Sequence, residues 1–210
     1  MPVKFPCGDI TLEGEWHFPG GEDPVPAVVV CHPYPPAGGT MHNNVVVAIC
    51  EALFEKSIAA FRFNFRGVEG SEGSFGEGVA EREDVKAAID FVFSSPRVDK
   101  KRIGLAGYSF GAMMALAAGR KDERVSMLAL ASAPLSDVNW GQLKEYGKPK
   151  FYIIGDADQM LPFEKFRQGA ESALEPEEYS VISGADHYMG GYEKELARWM
   201  AEFFDAGYNS

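Results

Sequence analysis

Short apolar runs alternate with segments of helical periodicity throughout this chain of 210 residues. That alternation predicts an α/β fold: a mostly parallel central sheet with helices on both faces, joined by right-handed crossovers. A second observation agrees. The run VPAVVVC is almost continuously apolar, as expected of a strand covered on both sides. A third concerns organisation. With 46% hydrophobic residues, no internal repeat and no linker-like stretch, residues 1–210 read as one domain around one core.

The elements follow in order. DITLEGEWHF (9–18) alternates loosely and reads as an N-terminal antiparallel strand, followed by the turn-rich PGGEDP and the buried strand VPAVVVC. From Asn43 to Glu55, Val46, Ile49, Cys50 and Leu53 recur at helical spacing, and IAAFRFNF (58–65) is the next strand. After the Gly-rich RGVEGSEGSFGEG, Val85, Ala88, Ile89 and Val92 mark an amphipathic helix. IGLAGY (103–108) is a strand, Phe110 to Arg120 a helix, and VSMLALA (125–131) and KFYIIG (150–155) are strands. A helix from Phe163 to Leu174, the strand EYSVIS (178–183) and a helix with Tyr192, Leu196, Trp199, Met200 and Phe203 on one face complete the series. In such sheets ligands bind beyond the carboxyl ends of the strands, so the loops there should hold the chemistry.

Composition narrows the partners. The formal charge is 20 − 31 = −11, which disfavours nucleic acid and anionic membrane surfaces and suits solubility. The N-terminus lacks the apolar core of a signal peptide, and no segment approaches 18 unbroken apolar residues. Cys7, Cys31 and Cys50 form no C-x-x-C pair and no metal-like spacing with histidine, which suggests reduced thiols and a cytoplasmic location. GVEGSEGSFGEG contains neither G-K-[ST] nor a G-x-G-x-x-G opening a helix, so it is expected to be structural or to line a site, not to bind phosphate. No cofactor and no metal are expected.

AGYSFGA (106–112) carries the strongest chemical signal. It contains G-x-S-x-G where a strand runs straight into a helix, a sharp turn that lifts one side chain out of the sheet. Ser109 is the candidate nucleophile, with the small Gly107 and Gly111 permitting close approach of strand and helix. A serine hydroxyl needs a base, itself held by a third group. Of the four histidines, only His187 follows Ser109, and it lies directly after the last strand. The acid should come between them. Asp156 and Asp158 both follow KFYIIG; Asp156 leaves the strand immediately and suits a turn cap, whereas Asp158 has more room to reach His187. Asp158 is preferred, and Asp186 reads as a turn residue.

These residues resemble the α/β-hydrolase superfamily: the elbow GYSFG, GDAD followed by a proline, and ADH before the final helix. A closer resemblance is to a small esterase-like group related to the dienelactone hydrolases. Its members look like HPxPxxGGTMxN and RFNFRGVGxSEGxFxxGxGExxD; this chain reads CHPYPPAGGTMHN and RFNFRGVEGSEGSFGEGVAERED. Two departures stand out. Dienelactone hydrolases proper use a cysteine nucleophile where this chain has Ser109, and Glu69 stands where the group has glycine. The resemblance implies an α/β-hydrolase fold and places the acid at Asp158. PLSDVNWGQLKEYGKP is too short for a lid, so no cap domain is expected and the site should be open. For the oxyanion hole, one donor is the N–H of Phe110, directly after the nucleophile. The superfamily takes the second N–H from two residues beyond the histidine of His-Gly-x, which here is Tyr34, bracketed by Pro33 and Pro35 in a loop expected to be extended. Phe75, Phe110, Met160, Leu161, Tyr188 and Met189 are candidates for the acyl pocket.

The expected activity is hydrolysis of a small-molecule carboxylic ester through an acyl-enzyme, with Ser109 attacking, His187 moving the proton and Asp158 orienting the imidazole. The base must be neutral, so turnover should fall in acid. A thioesterase with the same residues is the alternative within enzymes, and a non-catalytic binding protein of the same fold is the alternative outside them.

Overall fold

The computed structural model describes residues 1–21, 23–175 and 178–209, with the backbone alone at 137 and 138. Eight strands form one sheet in the order β1-β2-β4-β3-β5-β6-β7-β8. β1 (Pro2–Cys7) pairs antiparallel with β2 (Ile10–His17), and β2 antiparallel with β4 (Ala59–Phe63). The remaining strands are parallel: β3 (Val25–Cys31), β5 (Val98–Tyr108), β6 (Val125–Ala131), β7 (Lys150–Gly155) and β8 (Tyr179–Ile182).

Both faces are covered, which is why β3 is apolar at every position. Along β3, Val28 and Val30 pack under α1 (Asn44–Glu55) and α6 (Glu193–Tyr208). Ala27, Val29 and Cys31 point the other way. There they meet a layer to which α2 (Glu81–Ser94), α3 (Phe110–Gly119), α4 (Asp137–Glu145) and α5 (Phe163–Ala173) contribute. The predicted α/β class, with a mostly parallel sheet between helical layers, is the observed fold. Among the described residues no cap domain is inserted, and α4 is the one helix between β6 and β7.

Two elements were not anticipated. β1 contains Pro2 and Pro6, which argue against a strand, yet it lies at the sheet edge, where an N–H facing solvent is not needed. Its Phe5 is buried against Phe61, Phe63 and Phe91, which holds the edge in place. α4 has a weak apolar pattern but a capping box, in which Ser136 and Asn139 satisfy each other's backbone N–H. β5 also starts earlier than Ile103, because Val98 pairs with Val25 before the polar stretch that follows.

The Gly-rich loop is tied to β2 and to the start of α2. Glu72 exchanges hydrogen bonds with Thr11, and the Glu81 carboxylate accepts the Gly76 and Gly78 N–H groups. Glu69, which stands where the related group has glycine, has φ 46°, a left-handed conformation that glycine adopts without strain. Its carboxylate takes a hydrogen bond from Asn64 Nδ2 at 2.7 Å and lies 3.6 Å from His42 Nε2. The side chain is held by partners that offset the backbone cost.

Candidate active site

Ser109 sits between β5 and α3 at φ 54°, ψ −118°, a conformation few non-glycine residues adopt. Close packing enforces it. A Cβ at Gly107 would fall 2.5 Å from the Ala112 nitrogen, and one at Gly111 2.5 Å from the His32 carbonyl oxygen. The elbow is therefore wedged against the end of β3, with the Ser109 N–H donating to Ala131 O at 2.8 Å. Its hydroxyl is presented at the sheet's carboxyl edge, at the positive end of the α3 dipole.

The loop after β8 brings His187 to it. Ser109 Oγ lies 3.0 Å from His187 Nε2, and His187 Nδ1 lies 2.8 Å from Asp158 Oδ2. All three side chains are buried. With Nδ1–H donating to the carboxylate, Nε2 is left as the acceptor for the serine proton. The other Asp158 oxygen accepts the N–H groups of Met160 and Leu161 at 2.9 and 2.8 Å, which locks the carboxylate in rotation. Asp156 has different work: it accepts Gly184 N–H at 2.7 Å and the Ser183 hydroxyl at 3.1 Å, tying the β7 loop to the β8 loop. Asp186 accepts the Tyr188 N–H at 2.9 Å.

The β3 loop lies on the opposite side of Ser109. His32 is fully buried, and burial pushes its pKa down to about 4. It is therefore neutral, with Nδ1–H donating to Pro33 O at 2.7 Å and Nε2 accepting the Phe65 N–H at 3.1 Å. Pro33 O and the Tyr34 N–H occupy opposite edges of one planar peptide. By holding the first, His32 sets the orientation of the second. Neither the Tyr34 N–H nor the Phe110 N–H donates to any group among the described residues. The loop is less extended than its prolines suggested. Tyr34 is extended at φ −55°, ψ 114°, but Pro35–Ala37 form a single 3₁₀ turn in which Tyr34 O accepts from Ala37 and Gly39.

A cavity of about 330 Å³ opens above these groups. Ser109, His187, Tyr34 and Phe110 line it, and Tyr34, Met160 and Tyr188 form an exposed rim. Of the acyl-pocket candidates, Phe110, Met160 and Tyr188 line it, while Leu161 lines an adjoining cavity. Phe75 packs edge-on to the Tyr34 ring and beside Phe110, behind the wall. Met189 corrects the expectation: it is fully buried under α6, on the other side of the sheet. Met113 and Pro134 line the cavity without having been singled out. Met113 carries one usable signal, since it lies four residues after Ser109 and so one helical turn from it.

The family model for X-Pro dipeptidyl-peptidases (S15 family) matches residues 9–172. The chain belongs to this family. Its relatives are α/β hydrolases. A solved α/β serine hydrolase homologue from Coxiella burnetii is 32% identical, covers 96% of both chains and superposes with a TM-score of 0.87. The esterase EstD of Thermotoga maritima is 32% identical over 68% of this hydrolase and 37% of its own length. The thiohydrolase apmlB of Arthrinium phaeospermum is 31% identical over 55% of this chain and 43% of its own. The hydrolase thus spans less than half the length of these two curated relatives. Among the described residues, no helix is long and apolar enough to cross a membrane.

Proposed function

We propose that this S15-family hydrolase cleaves carboxylic esters of small or exposed acyl groups through an acyl-enzyme on Ser109. The observation that carries this reading is the hydrogen-bonded chain from Ser109 through His187 to Asp158, at the floor of an open, largely apolar cavity. Ser109 Oγ bonds to the acyl carbon as its proton passes to His187 Nε2. The resulting oxyanion takes the N–H groups of Phe110 and Tyr34, aided by the α3 dipole. The carbon–leaving-group bond then breaks and His187 returns the proton to the leaving atom. Water, deprotonated by the same nitrogen, releases the acid and restores Ser109. Asp158 keeps the imidazole in the required tautomer throughout.

Ester cleavage fits better than the dipeptide release for which the family is named. A dipeptidyl-peptidase receives the ammonium of a free peptide N-terminus, and no carboxylate among the described residues lines the cavity. The thiohydrolase relative favours thioesters as a second substrate class for the same residues. A fluorophosphonate probe should label the protein, and Ser109→Ala should abolish both labelling and p-nitrophenyl butyrate turnover. Absence of labelling in folded protein refutes the reading in favour of a non-catalytic binding role. Paired kinetics on an ester and a thioester of one acyl chain separate the two substrate classes.

A further inference from the structure

The cavity above Ser109 adjoins others. It shares Pro134 and Met160 with a second cavity of about 260 Å³. The second shares Leu135, Ser136, Trp140 and Lys165 with a third, of about 730 Å³, lying between α4 and α5. Two exposed lysines line the third, Lys144 of α4 and Lys165 of α5. Neither has an acceptor among the described residues. The chain's arginines differ. Arg62, Arg66, Arg124 and Arg167 each hold a carboxylate at 2.6 Å.

The rest of the lining has the same character. Among the described residues, no Asp or Glu lines any of the three cavities, although the chain has 31 of them and a net charge of −11. The groove between α1 and α6, by contrast, sets Glu51 and Glu55 beside its cations. Among the described residues, three adjoining cavities without a lining carboxylate thus lie between Ser109 and the two lysines.

The second cavity meets the first at Pro134 and at Met160, in the loop that carries Asp158. Met160, which it shares with the first, lies two residues beyond Asp158, the residue that holds His187. His187 must hand its proton to the leaving atom, so the leaving group lies on that side. We propose that the second and third cavities form a subsite for a leaving group whose far end carries a phosphate or carboxylate, held by Lys144 and Lys165. This rests on the serine-hydrolase reading above and specifies its substrate: an ester or thioester with an extended anionic alcohol or thiol half.

Three butanoate esters test it, made from 6-hydroxyhexyl phosphate, 6-hydroxyhexanoate and the neutral 6-hydroxyhexanamide. At low salt, kcat/KM for the phosphate or the carboxylate ester should exceed that for the amide by about tenfold, carried mainly by KM. The preference should shrink in high salt. Comparing the two anions identifies which the subsite takes. In the Lys144→Gln/Lys165→Gln double variant the charged-to-neutral ratio should fall to about one. Lys121→Gln/Lys194→Gln makes the same change in net charge at exposed sites elsewhere and should leave the ratio high.

A wild-type ratio of one or less overturns the subsite. So does a ratio that both double variants reduce equally, and a charge preference seen only with the anion on the acyl half overturns the leaving-group assignment. Binding separates this proposal from the catalytic reading. Saturable binding of hexyl phosphate to Ser109→Ala, measured calorimetrically and lost on adding the two Lys→Gln changes, supports the subsite even if no ester is cleaved. Absence of binding overturns it even if all three are.

Discussion

The Tyr108 hydroxyl donates to the His187 carbonyl oxygen across 2.6 Å, inside the protein. Tyr108 is the residue before Ser109, so two hydrogen bonds join neighbouring residues of the elbow to a single histidine: Tyr108 to its backbone and Ser109 to its ring. Burial pushes the tyrosine pKa up, and the hydroxyl remains a donor. The spacing between the Ser109 and His187 side chains is thus set by the elbow itself and does not depend on the β8 loop alone. Tyr108→Phe should lower kcat by about 10–100-fold with KM little changed, since an unsatisfied buried carbonyl costs about 1–3 kcal/mol and the loop must shift to recover it. A lower melting temperature with normal kcat would reduce Tyr108 to a purely structural role.

The oxyanion proposal separates a backbone effect from a side-chain effect at one position. Tyr34 has φ −55°, which proline accepts, and its N–H has no acceptor among the described residues. Tyr34→Pro deletes the donor and the ring, whereas Tyr34→Ala deletes the ring alone. Tyr34→Pro should lose about 10²–10³ in kcat beyond whatever Tyr34→Ala loses. Equal losses in the two variants would place the second donor elsewhere.

The two aspartates after β7 should respond oppositely. Asp158→Asn leaves His187 Nδ1 facing an amide and disturbs the tautomer, and turnover should drop by about 10³–10⁴. Asp156→Asn weakens the bond to Gly184 N–H and should act mainly on stability, by about 1–2 kcal/mol. Denaturant curves and steady-state kinetics on both variants decide the matter. A reversed pattern would exchange their roles.

His32 makes stability depend on pH. Its folded pKa of about 4 lies below the unfolded value of about 6.5. Between these values the unfolded chain binds a proton that the folded chain does not, so stability falls as the pH drops from about 6.5 to about 4 and levels off below. The full effect is on the order of 3 kcal/mol. A His32→Gln variant should unfold with a visibly flatter pH dependence over that window, and an unchanged slope would remove His32 as its source.

Glu69 and β1 show where local reading stops. A glutamate in a left-handed turn is unfavourable locally, and only Asn64 and His42, brought up by the fold, make it tolerable. The prolines of β1 argue against a strand until the sheet order places it at an edge. α4 has little local signal, because its weak apolar pattern is helical mainly through its cap and its packing against α5.

The sequence by itself determined the α/β class, most strand positions, the elbow at Ser109, and the order in which acid and histidine follow it. These are local properties: period, turn chemistry and glycine spacing are written in neighbouring residues. Tertiary structure alone decided the rest. It brought His187 within 3.0 Å of Ser109, separated Asp158 from Asp156 by their partners, and turned His32 into the anchor of the Tyr34 peptide. It also tied Tyr108 to the His187 backbone and set Lys144 and Lys165 on one cavity between α4 and α5. Each of these depends on distances between residues far apart in the chain, set by how the strands order and the helices pack.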